Sequence, residues 1–254
     1  MIKTITTLLL FTFICSSAQT NIQNASSIEY QLTTTLGGKI YKESSILKCT
    51  NNQSLYQIFS ENDGNSSLDK DDDTKINVNV KNKDAYYIFD ITKKTFFFTA
   101  FIDEKSYKIK ETIPSMKWIL STKKEDIKKI NNLLCNKATL NFRGRSYIAW
   151  YSSKIPLSFG PWKFNGLPGL ILEIYDTENT YHWTATKITF PLKDKIDFNI
   201  FQKLKAEEIT IKQYVDKIEK AHKSRSEIML KRLPRGVTLE SSTSKNYSIE
   251  LKYD

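Results

Sequence analysis

The chain is poor in the residues on which metal centres and hydrolases rely. It holds two histidines, His182 and His222, and three cysteines, Cys15, Cys49 and Cys135. Zinc sites draw several His, Cys or acidic ligands from short spacings, and no such spacing occurs here, so no metal and no cofactor is expected. The sequence has no Gly-x-Ser-x-Gly elbow. Nor does it have a phosphate-cradling glycine loop closed by Lys-Ser/Thr. Neither histidine has an evident Ser or Cys companion, which leaves an unrecognised hydrolase as the remote alternative rather than the expectation. Asp69, Asp71 and Asp73 match the first ligand positions of a calcium loop. Thr74 and Val80 stand where that loop needs Gly and Glu, so a solvated polar loop is the better reading.

Long apolar runs are missing as well. A membrane-spanning helix needs about 20 apolar residues, and the one candidate, Ile5–Ile14, is too short. With Lys3 before it and Ser16-Ser17-Ala18 after it, this stretch reads as a secretory signal peptide over residues 1–18, with the mature chain beginning at Gln19. Ile14 stands where a lipobox wants a small residue, which argues against lipidation of Cys15. The expected location is therefore outside the cytoplasm, periplasmic or extracellular, with no transmembrane segment in a soluble mature chain. After cleavage Cys49 and Cys135 remain. An exported protein permits their pairing, which would close a loop of about 86 residues worth about 4–5 kcal/mol. Two separate buried thiols are the other reading.

What the chain has in quantity is aromatic side chains and positive charge. There are 14 Phe, 13 Tyr and 4 Trp, and the formal net charge is +10. Basic balance suits anionic partners such as lipid headgroups, or simply solubility. The lysines are scattered and form no recognised module with aromatics, so nucleic acid is not an expected partner.

Periodicity points to a mainly β protein. Ile28–Thr33 alternates, Leu36-Gly37-Gly38-Lys39 turns, and Ile40–Thr50 runs back, as a hairpin does. Further strands are expected at 53–60, 76–80, 85–91, 95–102, 107–112, 116–121, 138–142, 147–151, 170–175 and 181–190. Connections of two to six residues favour antiparallel neighbours. Residues 123–134 suggest a short polar helix. A better helix spans about 211–230: Thr210 and Gln213 form a capping box, and Ile211, Tyr214, Val215 and Ile218 share one face. Lys212, Lys217, Lys220 and Lys223 occupy the other face, and Pro234-Arg235-Gly236 ends the helix. The tail 237–254 is polar, with an edge strand suggested at 247–251. Residues 19–254 thus read as a single domain. An antiparallel meander forms a curved sheet or half-barrel, and one C-terminal amphipathic helix packs on it.

The most specific stretch is Gly160-Pro161-Trp162-Lys163-Phe164-Asn165-Gly166-Leu167-Pro168-Gly169-Leu170-Ile171-Leu172-Glu173-Ile174. Pro168 fixes φ, and Gly169 can supply the positive φ of a type II turn. Beyond it, Leu170, Leu172 and Ile174 are expected on one face of a strand, and Ile171, Glu173 and Tyr175 on the other. Glu173 in mid-strand must face solvent, be paired, or serve a function. Arg143 and Arg145 are its expected structural partners.

These residues, with Cys135–Thr139, Phe142-Arg143-Gly144-Arg145, Ala149-Trp150-Tyr151 and Ile155-Pro156, resemble the GLPGLI family of exported bacterial proteins. The resemblance covers roughly residues 28–190 and is strongest over 135–176. It carries no established activity. The meander with its helix also resembles, at the level of fold, the LolA-like lipoprotein carriers. The expectation is a non-enzymatic envelope protein that binds an apolar or lipid-like ligand in its curved sheet. Trp150, Trp162, Phe164, Glu173 and Trp183 are the candidate contacts, and the pocket is expected to hold little charge with the basic helix at its mouth. An interaction subunit docking on an outer-membrane transporter or another envelope protein is the alternative.

Overall fold

Alternation of apolar and polar residues builds most of the molecule as one antiparallel meander. The computed structural model describes residues 25–59, 84–232 and 248–253. Its strands are β1 (Ser26–Leu36), β2 (Lys39–Cys49), β3 (Gln53–Ile58), β4 (Ala85–Asp90), β5 (Thr95–Ile102), β6 (Lys105–Thr112) and β7 (Ile119–Leu120). There follow β8 (Ile127–Ile130), β9 (Leu133–Phe142), β10 (Arg145–Ser152), β11 (Leu170–Asp176), β12 (Tyr181–Thr189) and β13 (Glu207–Thr210). The helices are α1 (Ile200–Lys203) and α2 (Ile211–Arg232). All thirteen strands join one curved sheet in the order β13-β6-β5-β4-β3-β2-β1-β12-β11-β10-β9-β7, and β8 also pairs with β9. Among the described strands only β13 runs parallel to its neighbour, β6.

One face of the sheet carries nearly the whole core. Cross-strand rows such as Ala138–Ala149–Ile174–Trp183–Leu32 and Tyr56–Tyr87–Phe98–Ile109 line this inner face. Over β9 to β12 it is covered by the loop between β10 and β11, residues 153–169. That loop buries Ile155, Leu157, Phe159, Trp162, Phe164 and Leu167. Over β5, β6 and β13 it is covered by α2, whose Ile211, Tyr214 and Ile218 pack on the core. The capping box forms as expected: Gln213 N donates to Thr210 Oγ1 at 3.3 Å, and Thr210 N to Gln213 Oε1 at 2.9 Å. The chain reaches that edge by crossing the outer face, where Phe201 of α1 packs with Leu55, Ile88 and Phe97.

Three expectations are corrected, and the open reading of the two cysteines is decided. Residues 123–134 form no helix: Asn131 and Asn132 both take positive φ, 46° and 65°, making the two-residue turn between β8 and β9. Such a turn matches the twist of paired strands. Residues 248–253 make no strand and dock on the β9–β10 hairpin instead, through Leu251 N to Arg143 O at 2.9 Å. Cys49 and Cys135 are free buried thiols. Five strand steps separate β2 from β9, roughly 24 Å at the usual spacing, far beyond disulfide reach. Finally, the β10–β11 register slips between Trp150 and Tyr151, so Tyr151 pairs with Ile171 while Ala149 pairs with Ile174. This bulge turns Ile171 to the inner face with Ile174, against simple alternation. The signal segment, the strand at 76–80, the Asp69–Asp73 loop and the Pro234-Arg235-Gly236 stop lie outside the described residues. Among the described residues no helix is long and apolar enough to cross a membrane.

Candidate functional site

The loop 153–169 is held by its own backbone and by the strands it covers. Gly160 N bonds Phe164 O at 2.8 Å, Gly166 N bonds Ser158 O at 2.9 Å, and Ile171 N bonds Phe159 O at 3.1 Å. Trp118 Nε1 donates to Asn165 O at 2.7 Å from the flanking segment. At Leu167-Pro168-Gly169 the turn is tighter than the expected type II. Gly169 N donates to Leu167 O at 2.8 Å, two residues back, while Leu170 N reaches Ile155 O at 3.0 Å. Gly169 is required by proximity as much as by its φ of 155°. A Cβ there would overlap the Ser152 carbonyl, lying 2.7 Å from its carbon and 2.9 Å from Ser153 Cα.

The loop carries a lysine into the core. Lys163, between Trp162 and Phe164, is fully buried. Its Nζ donates to Glu111 Oε2 at 2.9 Å and Glu250 Oε1 at 2.7 Å. It also lies 4.4 Å from the centre of the Phe98 ring, a cation–π distance. Arg143 completes the group. It takes positive φ in the two-residue turn Arg143-Gly144 and pairs with the same two carboxylates: with Glu250 Oε1 at 2.9 Å, and with Glu111. Two cations and two anions thus balance in a buried site. Burial pushes the Glu250 carboxyl above its ordinary range, Lys163 and Arg143 pull it down, and the Glu111 charge pushes it up again. Beside this group Arg145 bonds Asp176 Oδ2 at 2.9 Å and Ser248 O at 2.7 Å.

A cavity of about 510 Å³ opens next to these charges. Its walls are Tyr87, Phe98, Phe101 and Ile102 from the sheet, Tyr214, Val215, Ile218 and Ala221 from α2, and Ile249, Leu251 and Tyr253 from the C-terminal segment. Trp162, Lys163 and Glu250 also line it, and Glu219, His222 and Arg225 are its further polar groups on the helix. Burial, then the Glu250 charge, pushes the Tyr214 phenol up to about 12, so it is a neutral hydrogen-bonding group at ordinary pH. The expected apolar pocket is thus aromatic but charged inside, and the helix lysines do not line it.

The five candidate contacts fall in two places. Trp162, Phe164 and Trp183 meet in one buried aromatic cluster, with ring centres 5.0 Å (Trp162–Phe164) and 5.7 Å (Phe164–Trp183) apart. Of these only Trp162 reaches the cavity. Trp150 and Glu173 are cross-strand partners on the outer face. There Glu173 pairs with Lys128 and with His182 Nε2 at 2.9 Å, rather than with Arg143 or Arg145. Burial raises the Glu173 carboxyl, but the His182 and Lys128 hydrogen bonds outweigh it and hold it below its ordinary range. Thr184 Oγ1 lies 3.2 Å from the same His182 Nε2. A hydrolytic triad needs carboxylate and nucleophile on opposite ring nitrogens, so this cluster lacks that geometry. Among the described residues no group of three His, Cys, Asp or Glu side chains could hold a metal ion.

Sequence reading missed Lys163, Glu111, Glu250 and Asp176. A signal existed for two of them. Glu111 falls in step with inward-facing Tyr107 and Ile109, and Asp176 with Ile174, so each is a charge at an inward position of an alternating strand.

Known proteins bear on fold and segment. The profile of a family described as "Protein of unknown function (Porph_ging)" matches residues 143–173, within the stretch 135–176 on which the GLPGLI resemblance is strongest. Structurally it comprises the end of the β9–β10 hairpin, β10, the covering loop and the start of β11. The chain is similar to the solved structure of PNGF-II in a C2 crystal form, at 18% identity and a TM-score of 0.53. That match covers 78% of this chain and 33% of PNGF-II, so this chain spans about a third of that protein's length. A LolA superfamily protein from Nitrosomonas europaea is similar at 9% identity and a TM-score of 0.33, covering 70% of this chain and 90% of that one. No curated protein matches the sequence.

Proposed function

We propose that the protein is an exported, non-enzymatic binding protein of the cell envelope, with its ligand site in the cavity beneath α2. The observation that carries this reading is the cavity itself. At about 510 Å³, with aromatic walls and a few convergent polar groups, it has the size and composition of a small-molecule site. Its chemistry suits an amphipathic ligand: rings of Tyr87, Phe98 and Trp162 for an apolar part, and Tyr214 and His222 for a polar head. The loop 153–169 occupies the inner face over β9–β12, so the ligand is small rather than a multi-chain lipid. A displacement titration of the mature protein with a fluorescent fatty acid tests it. Binding at micromolar concentration, weakened in Ile218→Trp, which narrows the cavity, is the expected result. Equal affinity in both proteins, or none in either, ends the reading.

A second reading rests on a separate surface. Ile119, Leu120, Ile127 and Leu134 are exposed apolar residues of β7, β8 and the facing end of β9, with Ile119 at 69% and Leu134 at 61% exposure. Exposed apolar residues along a sheet flank suit docking on another envelope protein.

A further inference from the structure

The C-terminal segment 248–253 is bound to the body of the protein as a ligand is bound. It forms no strand or helix, yet its main chain is read almost residue by residue. Ser248 O accepts from Arg145 Nη2 at 2.7 Å, and Ile249 O accepts from the Tyr147 hydroxyl at 3.4 Å. Leu251 N and Lys252 N donate to Arg143 O at 2.9 and 3.3 Å. One side chain, Glu250, enters a socket whose cations come from the hairpin and the loop, Arg143 and Lys163. Tyr253 then stacks edge-on against Tyr214 of α2, ring centres 6.4 Å apart, with the Arg143 guanidinium 5.3 Å above it.

This is peptide recognition: backbone bonds give affinity, and one deep side-chain socket gives specificity. Two features of the Arg143-Gly144 turn fit it to this segment. The Arg143-Gly144 turn presents Arg143 O outward to two successive amides of the segment. At Gly144 (φ 86°) a Cβ would come within 2.9 Å of Leu251 Cβ, so the hairpin tip is shaped to the peptide.

We propose that the groove formed by the β9–β10 hairpin, Lys163 and α2 is a binding site for an extended peptide that delivers one glutamate. Residues 248–253 occupy it in this structure, and their release opens the cavity beside it. Ile249, Glu250, Leu251 and Tyr253 are cavity walls, so exchange of the segment changes access to the space below α2. The groove's affinity for the segment stands apart from whether the cavity holds a small ligand.

The test keeps the full chain. A protease site is inserted after residue 240 and cut once the protein has folded. A fluorescent peptide Ser-Ile-Glu-Leu-Lys-Tyr, matching residues 248–253, is then titrated by anisotropy. The cut protein is expected to take up the peptide, the Gln version of the peptide to bind at least ten-fold more weakly, and the uncut protein to bind neither. A folded cut protein that refuses the peptide overturns the proposal, as does equal binding of the Glu and Gln peptides or equal binding by uncut protein. Should the cut chain unfold, uncut Glu250→Ala provides the second measurement. It is expected to bind the peptide at least ten-fold more tightly than the unaltered chain, and failure to do so while folded overturns the proposal too. Fatty-acid displacement read in the same samples separates this result from that of the cavity.

Discussion

Over β9 to β12 the inner face is covered by a loop, and over β5, β6 and β13 by a helix. The loop presents irregular backbone, so it must satisfy its own polar groups. It does so with hydrogen bonds such as Gly160 N–Phe164 O and Gly166 N–Ser158 O, and it can then follow the sheet closely enough to bury Trp162 and Phe164. The helix has satisfied its backbone already but is a straight cylinder. It touches the sheet along one stripe, Tyr214 and Ile218 among it, and leaves a cavity at its side. Loop covering yields a closely packed half. Helix covering yields a half with space in it.

The contrast sets the order of the expected mutational effects. Lys163→Met should have the largest, because it leaves Glu111 and Glu250 sharing Arg143 alone in a buried site. Breaking a buried ion group typically costs about 3–5 kcal/mol. Urea midpoints would measure it, and a loss below 1 kcal/mol would mean that water reaches the loop half. Gly169→Val should follow, at about 2–3 kcal/mol, from overlap with the Ser152 carbonyl and an unfavourable φ. An unchanged midpoint would show that the loop shifts without loss and is no more rigid than the helix half. Ile218→Ala, beside the existing cavity, should cost only about 1–2 kcal/mol, since the space it leaves adjoins space already there. A cost matching that of Lys163→Met would erase the distinction between the halves. The smallest effect is on the outer face. The Glu173 carboxyl is held below its ordinary value in the folded protein, so its contribution is present above about pH 4.5 and lost as pH falls through the lowered value. Glu173→Gln should therefore lose less stability than the unaltered protein on acidification below pH 4.5. With Lys128 and His182 partly exposed, the difference should stay under about 1 kcal/mol. Parallel curves would remove the pairing from the stability of the fold.

Local periodicity made the sheet and α2 legible, because alternation and the Thr210–Gln213 box are properties of neighbouring residues. The 123–134 helix failed because Asn131-Asn132 acts as a turn, which Ile127, Ile130 and Leu134 at helical spacing conceal. The site was harder to read for a different reason. Arg143, Lys163, Glu111 and Glu250 come from a hairpin, a loop, a strand and a terminal segment, and no spacing within any one of them reports the meeting. Glu173 illustrates the same limit: its charge demanded a partner, but the bulge and the short β8 decided that Lys128 would supply it. The inward placement of Glu111 was visible, but not what it was waiting for.

The same four-charge group has a consequence for the order in which the chain can finish folding. A polypeptide delivered N-terminus first, from a ribosome or through a membrane, presents Glu111, then Arg143, then Lys163, long before residue 250. In that interval two cations face one carboxylate. Seating the loop would strand a charge in the core, at a cost of several kcal/mol. The loop half is therefore less stable until the segment around Glu250 arrives. Until residue 250 follows, the buried charges of that half are out of balance, and its arrival restores the balance.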